Sequence, residues 1–119
     1  MRITIGLLFL AACSSTPTGS TCPTDNAPTY QSFGQSFFTT YCTGCHSSES
    51  SNRHGAPSDQ NYDTEDQIRS HASDIDLEAA FGPKAKNSSM PDMSGPVHSE
   101  PTEAEREMLG QFLACEQQK

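Results

Sequence analysis

The sequence predicts an all-α domain, and three observations carry that reading. Tyr30, Phe33, Phe37 and Tyr41 recur at i, i+3, i+7 and i+11, which sets four aromatics on one face of a helix. Near the C-terminus Met108, Leu109, Phe112 and Leu113 repeat the pattern behind Thr102 and Glu105, a capping box that opens a helix. No alternating run is long enough to read as a strand.

The chain has 119 residues, enough for one small domain. It opens on Met1-Arg2, runs apolar from Ile3 to Leu10, and then reads Leu10-Ala11-Ala12-Cys13. A basic start, a short apolar run and small residues before a cut describe an export signal over residues 1–12. The run is about half of the ~20 residues a spanning helix needs. Its ending resembles the bacterial lipoprotein box, which implies that Cys13 is diacylated and becomes the new N-terminus. Two acyl chains suffice for durable anchoring. Residues 13–29, rich in Ser, Thr, Pro and Gly, then read as a lipid-anchored flexible linker, leaving 30–119 as the folded domain.

Within that domain the aromatic stripe forms the first helix. Residues 47–61 are polar and broken by Gly55 and Pro57, hence loop. Asp63 or Thr64 caps a short helix to about Ser73, with Ile68, His71, Ala72 and Ile75 on one face. Leu77 and Phe81 continue the apolar material, and Gly82-Pro83 stops any helix. Residues 84–98 are loop again, before the last helix to about Cys115. The acids at 59–78 and 99–107 read as solvated faces.

Five cysteines need five tasks. Cys13 takes lipid. Cys42-Thr43-Gly44-Cys45-His46 is the C-x-x-C-H haem-attachment pattern. Two thiols separated by two residues reach both vinyl groups from one helical turn, and His46 is then set beneath the iron. The competing readings are a redox dithiol, which wants a βαβ setting, and half of a zinc site, which wants a second ligand pair. Neither setting is visible, since His54, His71 and His98 are scattered. Cys22 and Cys115, one near each end, remain as candidates for a disulfide. One bound haem c would also enlarge a core that looks thin for a chain with no Trp and 33% hydrophobic residues.

From Gly34-x-x-x-Phe38-x-x-x-Cys42 through the haem motif to Leu109-x-x-Phe112-Leu113, the chain resembles the class I cytochrome c family. The resemblance spans roughly 30–115 and implies a cytochrome c-like fold, its first and last helices crossing around one covalently attached haem. It implies that Gly34 permits the close crossing, and that a proline carbonyl, here that of Pro57, orients the ligating histidine. It also implies a methionine as second axial ligand in the loop before the last helix. Met90, followed by Pro91, is the first choice and Met93 its rival; His54, His71 and His98 are further rivals for the iron.

The resemblance implies an electron-transfer protein rather than an enzyme: a single-electron carrier in the bacterial cell envelope, facing the periplasm or extracytoplasmic side through its lipid anchor. No nucleophile with a partnered base and no phosphate-cradling loop is recognisable. The net charge of −8 excludes nucleic acid as a partner, because phosphate binding needs clustered cations. The same charge suits redox partner proteins with a basic docking patch, the chain acting as monomer or complex subunit. Two other classes stay open: a five-coordinate haem sensor or peroxide-reacting protein, and an electron-input subunit of a larger membrane-anchored oxidoreductase complex.

Overall fold

The computed structural model describes residues 16–119; the signal segment and Cys13 lie outside the described residues. Its regular structure is helical, in keeping with an all-α class. A π-helical turn, Tyr30–Gly34, runs directly into α1 (Gln35–Tyr41); α2 (Glu65–Ser70), α3 (Ala72–Ala79) and α4 (Glu103–Glu116) complete the helices. The described residues hold no strand, only an isolated antiparallel bridge between Phe81 and Lys86. Among them no helix is long and apolar enough to cross a membrane.

The first helical segment starts where Thr29, in extended backbone, accepts the Ser32 N–H on its hydroxyl, while Ser32 Oγ accepts the Thr29 N–H. This reciprocal cap satisfies two otherwise orphaned donors. Phe37 and Phe38 are buried, and Phe33 and Phe38 both approach Phe112 on α4, at 6.1 and 6.3 Å between ring centroids. The segments can approach because position 34 is glycine: a Cβ there would lie 2.7 Å from Phe112 Cζ. Tyr41 Oη, at the far end of α1, donates to the Glu105 carboxylate at 3.0 Å. Glu105 also accepts the Thr102 N–H at 2.7 Å, so the α4 capping box is tied to α1.

Thr64 caps α2 in a box with Gln67. The single helix expected to about Ser73 instead breaks at His71 and resumes as α3 to Ala79. His71 leaves the helical region with ψ 17°, its N–H turning to the Ile68 and Arg69 carbonyls, and its ring Nε2 lies 3.1 Å from the Asp59 carbonyl. The break still keeps Ile68, Ala72 and Ile75 on one buried face. These residues join Phe37, Phe38, Leu109, Phe112 and Leu113 in one core cluster, so the three apolar stripes meet each other directly. Met108 is a correction: 43% exposed, it lies off the buried arc of α4, which runs through Arg106, Leu109, Gly110 and Leu113. Arg69 and Lys119 both pair with the buried Glu116 carboxylate, at 3.1 and 2.8 Å, joining α2 to the end of α4.

The segment expected to be linker also needs correcting. Thr16, Thr18 and Ser20 are buried, and Thr18 donates its N–H and hydroxyl to the two Asp76 oxygens at 2.7 and 2.9 Å. The Thr18 carbonyl accepts the Lys84 N–H, and Gly19, at φ +78°, turns the chain beside it. Asp76 is therefore no member of a solvated acidic face. Burial raises its pKa, and the Thr18 hydrogen bonds oppose that rise. A polar tract can pack here because its hydroxyls and amides find a buried acceptor on α3.

The Cys22–Cys115 disulfide is formed, with the two Cα atoms 4.6 Å apart. It fastens the extended segment before the first helix to the last turn of α4.

Candidate functional site

The Cys42–His46 motif leaves α1 as a tightening turn. Cys42 N–H still bonds the Phe38 carbonyl, while Cys45 and His46 N–H groups both turn to the Cys42 carbonyl at 3.2 and 2.9 Å. Cys42 and Cys45 are free thiols. Gly44 between them is covered by Pro96, whose Cγ would lie 2.7 Å from any Cβ at that position. A small residue inside the motif is therefore a packing requirement of the later loop, which the motif pattern does not signal.

Burial dominates the ionisation of these groups. It pushes the Cys42 thiol up to about 12 and raises Cys45 as well, so both are protonated at neutral pH. It lowers His46, keeping the imidazole neutral. His46 Nδ1 lies 2.9 Å from the Gln60 carbonyl. A carbonyl only accepts, so Nδ1 carries the proton and the Nε2 lone pair is left for a ligand. The ring is also stacked on Tyr62, with centroids 4.6 Å apart and planes at 22°, and the His46 carbonyl accepts the Tyr62 N–H.

This acceptor corrects the expectation for Pro57. The Pro57 carbonyl closes a turn by accepting the Gln60 N–H and takes a second bond from Arg53 Nη2. Three residues on, the Gln60 carbonyl is the one that faces the imidazole. A proline signals a turn but not which of the turn's carbonyls points inward, and Gln60 carries no sequence signal of its own. Arg53, another residue missed from sequence, makes five hydrogen bonds to the Ser47, Ala56, Pro57 and Gln60 carbonyls and to Asn61 Oδ1.

Cys42, Cys45 and His46 line a cleft of about 410 Å³. Tyr41 and Tyr62 stand beside them, Ile75, Leu77 and Ala79 of α3 form a second wall, and Met90, Pro91 and Val97 come from the loop before α4. Leu77 and Met90, otherwise conspicuous as large apolar side chains 53% and 39% exposed, belong to this wall. Of the rivals for Met90, His54 also reaches the cleft; Met93, His71 and His98 do not line it. Met90 is held through its backbone: its N–H donates to the Glu78 carbonyl at 2.9 Å, and its carbonyl accepts from Arg106 Nη1 at 2.8 Å. Its peptide bond to Pro91 is cis. Among the described residues no three His, Cys, Asp or Glu side chains converge as a metal cage, so a structural zinc site has no set of four donors there.

The segment just after the motif is pinned by Asp63, which accepts the Ser48 N–H and hydroxyl at 3.0 and 3.2 Å. Hydrogen bonds from Ser47 and Ser48 hold its carboxyl below the usual carboxylate range. A depressed folded-state pKa contributes stability above the unfolded value, near 3.9, that is lost as pH falls through the folded value. Asp63→Asn is accordingly expected to flatten the acid side of the stability profile below about pH 4. Urea titrations of both proteins across that range check this, and parallel profiles would refute it.

Comparison with known proteins returns no match among family models, curated proteins or solved structures.

Proposed function

We propose that this chain is a c-type cytochrome of the class I kind, carrying single electrons on one covalently held haem and tethered to a bacterial membrane through an acylated Cys13. The observation that carries the reading is the cleft itself. One apolar-walled space is lined by two free thiols, a neutral histidine with Nε2 unengaged, and a methionine thioether. Apolar side chains are normally exposed in such a concentration only where something covers them.

The donor set fits haem. Cys42 and Cys45 would hold it by thioether bonds; protonated thiols suit this, since each S–H adds across a vinyl group without an added oxidant or reductant. His46 would ligate through Nε2, oriented by the Gln60 carbonyl and the Tyr62 ring. Met90 would supply the sixth ligand, favouring the ferrous state relative to a second histidine. When bound, the group supplies the one-electron iron couple; the chain supplies ligation, burial and restraint of the ligands. Leu77, Ile75 and Val97 line the cleft and would help exclude water from a bound haem, and the acidic surface would suit a basic redox partner.

The test is an absorption spectrum of the full chain produced with a haem-attachment system. A low-spin c-type spectrum is expected, with the weak far-red band of a methionine–ferric iron bond. Met90→Ala should abolish that band, whereas Met93→Ala should keep it. A high-spin spectrum that binds carbon monoxide readily would overturn the sixth ligand and favour a five-coordinate sensor or peroxide-reacting protein.

A further inference from the structure

We infer that Arg53 is a positioning residue that sets the electron-donor strength of His46 through a carbonyl they share. The inference rests on the haem reading above and extends it to a residue outside the ligand set. The Gln60 carbonyl oxygen accepts from His46 Nδ1 at 2.9 Å and from Arg53 Nη2 at 3.2 Å. A carbonyl has two lone pairs, so both bonds form at once, but they draw on the same electron density. The Arg53 bond is the longer of the two, but its donor is cationic, so it draws off part of the density that His46 would otherwise have to itself.

This competition sets the direction of the effect. The proton on Nδ1 of a ligating histidine is pulled toward its acceptor, which makes the imidazole a better donor to a metal. Arg53 weakens that pull by polarising the acceptor away from it. His46 is then a poorer donor, ferric iron is less stabilised, and the reduction potential is higher than it would be with the carbonyl serving His46 alone.

The rest of the arginine's surroundings fix it in this task. Nη1 donates to the Ser47 carbonyl and Asn61 Oδ1, both at 2.6 Å, Nε to the Ala56 carbonyl, and Nη2 also to the Pro57 carbonyl. All five acceptors are neutral oxygens of the segment between the motif and Tyr62, so the guanidinium reaches the shared carbonyl in one orientation. A lysine keeps the positive charge but not the planar fork that engages these oxygens together. That difference separates carbonyl sharing from a simple field effect of nearby charge.

The experiment compares haem-loaded wild-type, Arg53→Lys and Arg53→Gln chains by redox titration and by the proton resonance of His46 Nδ1–H in the reduced state. Both variants are expected to keep a low-spin spectrum, to show a lowered potential, and to move the Nδ1–H resonance downfield as its hydrogen bond strengthens. If Arg53→Lys retains the wild-type potential and resonance, charge alone is acting and the inference is overturned. Should Arg53→Gln fail to fold, the lysine variant decides by itself. A wild-type chain that takes up no haem sinks the parent reading and this inference with it. An intact low-spin spectrum with unmoved potential and resonance in the variants removes the inference alone.

Discussion

Replacing Cys22 and Cys115 together by serine is expected to lower the stability of the folded protein by about 4–5 kcal/mol. The bond joins positions 93 residues apart, so it closes nearly the whole folded domain into one loop. In chain-entropy terms such a loop removes more freedom from the unfolded chain than a short one, and the loss of that constraint is what the double variant reports. A domain of this size has a total stability of roughly 5–15 kcal/mol, so the change takes a large share of it. The local context adds to the effect. The bonded segment continues from Ser20, whose hydroxyl leaves no room for a Cβ at Gly110 on α4. Without the disulfide that close packing depends on polar contacts alone. Urea denaturation of wild-type and double-serine proteins, prepared in the same way, measures the difference. A loss below about 1 kcal/mol would show that the bond does little to constrain the unfolded state.

Arg106→Leu is the second large effect, expected to destabilise by about 2–4 kcal/mol and to loosen Met90 at the same time. Arg106 is 2% exposed, and Nη1 donates to the carbonyls of Ala79 and Met90 at 2.9 and 2.8 Å and more weakly to that of Asn87. One buried cation thus gathers the end of α3 and the loop before α4. Leucine fills much of the volume but leaves those carbonyls without this donor, each at a cost of order 1 kcal/mol or more. The loss is limited because the arginine is already penalised by its surroundings: burial lowers its pKa, and Nη2 is buried with no hydrogen-bond partner among the described residues. Relief of that desolvation offsets part of the loss. Denaturant titration should show a lower midpoint with an unchanged slope, and on the proposed haem reading the far-red methionine band should weaken although Met90 itself is intact. A variant with wild-type midpoint and band would mean that the loop is held by its own turns.

Those two sites differ in how plainly the sequence announces them. The disulfide emerges from counting, once Cys13, Cys42 and Cys45 are given other tasks. Arg106 does not, because nothing in Thr102–Leu113 distinguishes a buried arginine from the exposed charges beside it. The first and last helical segments are legible because their signals are local: an aromatic stripe, a capping box, and a glycine spaced four residues from Phe38. The burial of Thr16 and Thr18 is illegible because the partner of Thr18, Asp76, is 58 residues away, and composition alone makes such a tract look like a tether. The break at His71 is likewise hidden, since the apolar spacing continues across it. In the site, the motif announces Cys42, Cys45 and His46, while the identity of the histidine's acceptor depends on the turn from Pro57 to Gln60. Loop direction at that level of detail is set by tertiary contacts, here the fan of bonds from Arg53.

The packed threonines near the start of the described chain bear on where the protein works. Only Ser14 and Ser15 separate Cys13 from Thr16, which is buried and is the first of the described residues. With Cys13 acylated, the greatest span of that connection is about 10 Å, against roughly 55 Å for a free leash reaching to Tyr30. On the proposed anchoring, such a domain would ride on the lipid headgroups rather than sweep a hemisphere above them. On that same proposal its rotations would be confined, the side bearing Thr16 and Lys84 would turn toward the bilayer, and a redox partner would have to come alongside at membrane height.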